Sequence, residues 1–191
     1  KLVSHEGDVV TLHYQHTFNR SSGKDEYGMS INTATTEQRP DIVLNIRKTS
    51  GEIVLTYLYD AKYRVINDKK LDKDFEEQDI AEMSVLPGGD YPPTEAINQM
   101  HRYRDAIYYS KEHEPYRSKE IIGGYILFPG RGSDEYVKKR YYSASVESVN
   151  IGAFPLLLNS DIILREHLND ILMNYTEADS HVAKAKPQRT L

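Results

Sequence analysis

The sequence predicts an α/β (or α+β) domain in which a mixed β-sheet core is flanked by helices. Runs rich in β-branched and aromatic residues, typical of strands, occupy most of the first third of the chain. Helical periodicity becomes clear only from Thr94, after which strand and helix patterns alternate. With 191 residues, of which 39% are hydrophobic and 28% charged, the chain is long enough for one soluble domain with a sizeable core.

Four strands are predicted before residue 66, at residues 8–18, 28–36, 41–48 and 52–65. The last two form a hairpin, because Thr49, Ser50 and Gly51 between them favour a turn. In the first strand, the alternation of side chains places His13 and His16 on opposite faces. This spacing argues against a zinc site at the two histidines.

Helices and strands are interleaved in the second half of the chain. The predicted elements are a short helix at residues 75–83, the strongest helix at 94–111, strands at 121–128 and 148–158, and an amphipathic helix at 161–175. We expect residues 1–175 to form the domain and residues 176–191 to be a polar tail. Because the chain starts in mid-pattern at Lys1, we expect it to be a fragment of a longer protein.

The composition argues against several classes of protein. A net charge of −5 does not fit a basic field covering the whole domain, although local basic groups are present. No apolar run approaches the roughly 20 residues that a membrane-spanning helix needs, so we expect no membrane partner. The absence of cysteine excludes disulfides and thiolate-bound zinc.

Charged residues interrupt the predicted hairpin at its open end. Asp60 and Lys62 lie on the same strand face, because Ala61 between them points the other way. Counting outward from the turn places Asp41 opposite Asp60, so the two carboxylates meet on one ladder. A slip of one residue in the register would move one carboxylate to the other face.

Spacing alone leaves two interpretations of this cluster open and slightly favours the second. Two adjacent carboxylates repel each other unless a cation lies between them, and Mg²⁺ with oxygen ligands and a substrate phosphate suits that position. Lys62 would then face a phosphate oxygen or an attacking water. Alternatively, Asp60 and Lys62 form a surface ion pair, and Asp41 is a turn residue after Pro40.

The pattern Pro40-Asp41 followed by Asp60-Ala61-Lys62 resembles the PD-(D/E)xK nuclease signature. Further blocks, namely YDAKYRV, NQMHRYRDAIYY, GGYILFPG and NIGAFPLLL, resemble the nuclease domain of McrC-like restriction proteins between residues 39 and 158. The resemblance implies a restriction-endonuclease-like fold. It also implies a metal-dependent DNA endonuclease that hydrolyses phosphodiester bonds as the cleavage component of a restriction or defence system.

The resemblance also implies roles for the residues of the motif. Asp41, Asp60 and the carbonyl of Ala61 would ligate Mg²⁺, with Mn²⁺ as a substitute, and Lys62 would be the catalytic lysine.

Supporting residues are implied on the helix that follows the motif. Gln99 and Tyr103 are four residues apart and share a helix face near the DNA and the active site. For Arg104, a phosphate contact and a partly buried structural ion pair are equally supported. Many superfamily members add an upstream acidic residue, for which Glu6 and Glu37 are the candidates, although neither lies in a clear helix.

Partners follow from the same resemblance. We expect DNA as substrate, a nucleotide-hydrolysing AAA+ subunit that supplies recognition and translocation, and a cytoplasmic location. The alternative from another class is a catalytically inactive nuclease-fold module for DNA binding or assembly. Cleavage of RNA or of DNA ends also fits the motif.

Overall fold

The computed structural model describes residues 1–21, 23, 29–49, 54–63, 66–67, 90–111, 121–130, 143–158 and 160–173. Ten strands and three helices lie within these residues. The predicted helix at 75–83 and the predicted tail at 176–191 lie outside them.

Strands make up the first half of the described chain, and helices and strands are interleaved from the first helix onward. The elements are β1 (Leu2–Val3), β2 (Val9–Tyr14), β3 (Met29–Thr33), β4 (Ile42–Arg47), β5 (Val54–Ala61), β6 (Ile66–Asn67), β7 (Asp90–Tyr91), α1 (Thr94–Ala106), β8 (Ile107–Lys111), β9 (Ile121–Phe128), α2 (Ser143–Val149), β10 (Ile151–Pro155) and α3 (Ile162–Met173).

Six of these strands form one mixed sheet in the order β1-β2-β4-β5-β9-β10. The strands from β1 to β5 pair antiparallel, whereas β5, β9 and β10 pair parallel. Parallel neighbours need a crossover, and α1 lies in the connection from β5 to β9 while α2 lies in the connection from β9 to β10. The predicted mixed sheet flanked by helices is confirmed.

The predicted helix at 94–111 is wrong in its last turn. The helix ends at Ala106, and β8 follows directly and pairs antiparallel with β3. Ile107 and Tyr109 are buried, and the Tyr109 hydroxyl lies 2.5 Å from the Thr56 hydroxyl on β5. The β-branched and aromatic side chains at the end of the predicted helix therefore pack as a strand, and this tertiary packing outweighs the helical pattern.

The predicted strands at 8–18 and 148–158 are also too long. Residues 143–149 form α2, and Asn150, with φ of 57°, separates this helix from β10. In the first strand, β2 ends at Tyr14 because Gln15 has a φ of 51°. The chain turns there, so the rings of His13 and His16 lie 5.2 Å apart and not on opposite faces as predicted.

The sheet is covered on one face by α1 and the β3–β8 pair. Met100 of α1 packs on Gly124, and the register pairs Gly124 with Leu58 on β5. A Cβ atom at Gly124 would lie 3.2 Å from the Cβ of Met100, so glycine there allows α1 to approach closely. Because Leu58 and Asp60 share a face, α1 covers the face that carries Asp60.

The opposite face is covered by α3, which buries His167 among aromatic rings. The His167 ring lies 4.5 Å from the Tyr125 ring and 4.6 Å from the Phe154 ring, centroid to centroid. Its Nε2 lies 3.3 Å from the Tyr59 hydroxyl. Burial lowers the pKa of His167 to about 4, because the apolar rings cannot solvate an imidazolium.

Acid should therefore unfold the protein partly through His167. The unfolded chain takes up this proton near the ordinary pKa of about 6.5, before the folded protein does. The free energy of unfolding should fall by roughly 2–3 kcal/mol as the pH drops from about 6.5 to 4. His167→Gln should flatten this slope in urea titrations, whereas His5→Gln, at an exposed position, should not. Equal slopes in both variants would contradict the assignment.

Candidate active site

The chain enters the site through Arg39, Pro40 and Asp41, which the sequence holds extended. A residue that precedes proline is disfavoured in the helical region, so Arg39 is extended by local chemistry. Two hydrogen bonds then hold this segment. The Tyr103 hydroxyl donates to the Arg39 carbonyl at 3.2 Å, and the Gln15 amide donates to the Asp41 carbonyl at 2.6 Å. The position of Asp41 directly before β4 is thus set from both sides.

Asp41 and Asp60 meet across the β4–β5 ladder. The register pairs Ile42 with Tyr59, so the next residues outward, Asp41 and Asp60, stand opposite each other. The Ala61 amide donates to Asp41 Oδ2 at 2.8 Å, which ties the first carboxylate to the second strand. The structure thus brings together the two carboxylates that the sequence places at the open end of the hairpin.

Asp60 is buried, with 2% of its surface exposed, and forms an ion pair with the Lys62 ammonium. Burial raises the pKa of Asp60; the Lys62 ammonium opposes that shift, and the Asp41 carboxylate adds to it. The Lys62 amide donates to the Leu127 carbonyl of β9 at 2.8 Å, which fixes the backbone from which the ammonium extends. The ion pair considered from the sequence is present, but its carboxylate lies inside the protein.

The donor set fits a hard divalent cation. Asp60 Oδ2 is buried, contacts the Lys62 ammonium and has no hydrogen-bond partner of ordinary geometry among the described residues. Two carboxylates and the Ala61 carbonyl are oxygen ligands, which Mg²⁺ prefers. No group of three or more His, Cys, Asp or Glu side chains suited to a metal occurs in the described part of the chain. The fit is therefore to one ion completed by water or substrate.

The two candidates for an upstream acid lie in different places. The Glu6 carbonyl accepts a hydrogen bond of 2.7 Å from Thr49, at the turn end of β4 and far from Asp41. Glu37 lies beside α1, in the wall of a groove that Tyr103 also lines. Glu6 is thus separated from the carboxylate pair by the length of a strand. Glu37 instead lines the groove together with Arg39 and Tyr103, near the start of β4 where Asp41 lies.

Gln99 and Tyr103 share one face of α1, as their spacing predicts, and Tyr103 lies near the carboxylate pair. Gln99 Nε2 donates to the Tyr103 hydroxyl at 2.6 Å, and that hydroxyl donates onward to the Arg39 carbonyl. Burial and the nearby Asp60 carboxylate raise the pKa of Tyr103, so the phenol stays neutral and keeps its proton for this bond. These two side chains therefore position the backbone that carries Asp41.

Arg104 points away from this cluster. Its Nη1 donates to the Val149 carbonyl at 2.5 Å, at the C-terminal end of α2, where a cation is favourable. The contact joins two helices, and it matches neither of the two roles considered from the sequence.

Sequence reasoning missed the backbone contacts of Gln15 and the groove beside α1. The groove has a volume of about 620 Å³ and lies between residues 35–39 and α1. For the backbone contacts of Gln15, the one local signal in the sequence is Pro40, which marks an extended segment that needs hydrogen-bond partners from elsewhere in the chain. The groove gives no local signal, because its two walls lie about 60 residues apart in the sequence.

A family model of the PD-(D/E)XK nuclease superfamily matches residues 1–133, which include Asp41, Asp60 and Lys62. The chain belongs to the PD-(D/E)XK nuclease superfamily. Nucleases of this superfamily typically use divalent metal ions, in agreement with the oxygen donors at the open end of the hairpin. No curated protein and no solved structure matches the chain significantly. Among the described residues, no helix has the length and apolar character needed to cross a membrane.

Removing the buried carboxylate should separate metal binding from folding. Asp60→Asn should unfold at a higher temperature than the parent without metal, because an uncharged amide is less costly to bury. Mg²⁺ at about 100 times its dissociation constant should stabilise the parent by about 2.7 kcal/mol and leave Asp60→Asn unchanged. Differential scanning fluorimetry with a Mg²⁺ titration measures both effects. Asp161→Asn, at a partly exposed ion pair, is the control and should respond to Mg²⁺ like the parent.

The Tyr103 hydroxyl should matter for stability as well as for the site. Tyr103→Phe leaves the Arg39 carbonyl and the Gln99 amide without their partner and should cost about 1–2 kcal/mol in urea unfolding. Apparent Mg²⁺ affinity should fall several-fold, since Asp41 is then held less firmly. Tyr14→Phe, at a side chain that is 74% exposed, should change neither quantity. Similar losses in both variants would contradict the positioning role.

Proposed function

We propose that the protein is a metal-dependent DNA endonuclease that hydrolyses phosphodiester bonds. The observation that carries this proposal is the buried Asp60 carboxylate, opposite Asp41 and in contact with the Lys62 ammonium. A structural ion pair would not need a second carboxylate on the same ladder. Membership of the superfamily adds support, because its members are generally nucleases.

In the proposed mechanism, Asp41, Asp60 and the Ala61 carbonyl would hold Mg²⁺, or Mn²⁺ as a substitute. When bound, the ion would supply Lewis acidity for the scissile phosphate and for the attacking water. The Lys62 ammonium stabilises the charge that develops on the phosphate. The hydrogen bond from the Lys62 backbone amide to the Leu127 carbonyl fixes the backbone from which this side chain extends. The burial of Asp60 strengthens these electrostatic interactions, because little water is present to screen them.

We further propose that the protein is the McrC-like cleavage component of a modification-dependent restriction system. The support is the resemblance of four sequence blocks between residues 39 and 158. A net charge of −5 gives this chain little general attraction to a duplex, which suits an AAA+ partner subunit that delivers the DNA. Such a complex would act on DNA in the cytoplasm.

The second candidate is a nuclease-fold module that binds DNA or assembles a complex without cutting. One observation favours it: the described residues supply only two acidic side chains at the candidate site. Many superfamily members have a third acidic side chain, at the upstream position for which Glu6 and Glu37 are the candidates.

Cleavage of supercoiled plasmid and linear DNA with Mg²⁺ or Mn²⁺ tests the proposal. Asp60→Ala and Lys62→Ala should each lower the rate by about 10²-fold or more, because they remove a candidate metal ligand and a candidate charge stabiliser. Lys48→Ala is the matched control. Lys48 also pairs with an aspartate, Asp8, but at the opposite end of β4, so the rate should not change.

The outcomes separate the two candidates. Cutting by the parent but not by the two site variants establishes the nuclease. No cutting, with Mg²⁺ binding that Asp60→Ala abolishes, indicates a competent site that needs its partner subunit. No cutting and no metal binding supports the module that binds without cleavage.

A further inference from the structure

A polar groove adjoins the candidate metal ligands. It lies between the segment before Pro40 and α1, and it has a volume of about 620 Å³. Its lining residues are Thr35, Thr36, Glu37, Gln38, Arg39, Gln99, His101, Arg102, Tyr103, Asp105 and Ala106. The hydrogen bonds that hold the carboxylate pair lie at the wall of the groove and do not fill it.

The groove and the carboxylate pair share a wall. Tyr103 lines the groove, and the charge of Asp60 acts directly on its phenol. Arg39 also lines the groove and lies two residues before Asp41, a distance of about 6.6 Å along extended chain. A strand whose scissile phosphate lies at Asp41 and Asp60 therefore has the groove within about one nucleotide of the cut.

Two guanidinium groups line the groove beside Tyr103, whose phenol lies near both carboxylates. Arg39 Nη2 donates to Gln15 Oε1 at 2.8 Å, which leaves a guanidinium with several further donors at an exposed position. Arg102 is also exposed, and its charge acts on the neighbouring Tyr103 phenol. Two acidic residues also line the groove, namely Glu37, two residues before Arg39, and Asp105, one turn farther along α1, where its charge acts on His101. Arg39 and Arg102 are therefore the lining residues whose exposed positive charges can meet phosphate groups.

The size of the groove limits what it can hold. Its volume falls within the roughly 300–1,000 Å³ of small-molecule sites, which corresponds to about one or two nucleotides of a single strand. Gln38 Nε2 donates to Thr36 and Gln99 Nε2 donates to the Tyr103 hydroxyl, so both side chains are held in place in the walls. Their amide oxygens can accept hydrogen bonds from the edges of unpaired bases.

We propose that this groove binds one DNA strand next to the scissile phosphate, with Arg39 and Arg102 holding the neighbouring phosphates. This inference rests on the proposed function. It names the preferred substrate class as DNA with at least two unpaired nucleotides beside the cut. Gln99 and Tyr103 then have two roles, since they position Asp41 on one side and form the groove wall on the other.

Binding of a short fluorescent oligothymidylate without divalent metal tests the groove independently of cleavage. Arg39→Gln and Arg102→Gln should each raise the dissociation constant about tenfold, because each removes a charged contact to phosphate. The logarithm of the association constant falls as the logarithm of the salt concentration rises. Each substitution should make this fall less steep by about 0.7, the value for one phosphate contact on a single strand. Arg165→Gln removes one positive charge on α3 and should change neither quantity beyond the general effect of charge.

A second arm measures cleavage in Mg²⁺ of blunt duplexes and of duplexes with two to four unpaired nucleotides. The parent should prefer the unpaired substrates, and the two groove variants should lose that preference while keeping the thermal shift with Mg²⁺. If both variants bind the oligonucleotide with the affinity and salt slope of the Arg165→Gln control, the groove inference is wrong, even where Asp60→Ala abolishes cutting. If no protein cuts but the groove variants bind more weakly, the groove inference stands, and the nuclease proposal fails only where the parent also binds no Mg²⁺.

Discussion

The candidate site depends on the register between β4 and β5. That register places Asp41 opposite Asp60 and lets the Ala61 backbone amide donate a hydrogen bond to the Asp41 carboxylate. A slip of one residue would turn Asp60 towards the face where Tyr59 contacts α3 and would leave the Ala61 amide without its acceptor. The register is well specified because β5 is buried on both faces, so a slip of one residue would exchange the side chains packed under α1 with those packed under α3.

The burial of Asp60 strengthens the electrostatic interactions of the site but lowers the stability of the folded protein. The same packing that fixes β5 removes water from Asp60, which raises the pKa of that carboxylate. Lys62 offsets part of this cost, and a bound cation would offset more. A strand that is buried on both faces and paired on both sides therefore carries a carboxylate whose charge is costly to bury. A looser strand would let water solvate Asp60 and would lose the electrostatic strength of the site.

The sequence predicts those features that depend on neighbouring residues. Alternation and a turn around Ser50 are enough to predict the hairpin and the meeting of Asp41 with Asp60. The strand at Ile107–Lys111 could not be predicted in this way, because its partner β3 lies more than 70 residues earlier. The approach of His16 to His13 depends on one residue, Gln15, with a positive φ. Arg104 was ambiguous because α2, which supplies the carbonyl it contacts, was not predicted.

The site lies at the junction between the antiparallel and parallel halves of the sheet. Antiparallel pairing brings the start of β4 to the end of β5, and so brings Asp41 to Asp60. Parallel pairing brings the end of β9 to the same edge, where the Leu127 carbonyl holds the Lys62 amide. A wholly antiparallel sheet would place the start of β9 there, and a wholly parallel one would move Asp41 to the opposite edge. The mixed sheet is therefore the arrangement that lets a carboxylate from a strand start join an aspartate and a lysine from a strand end.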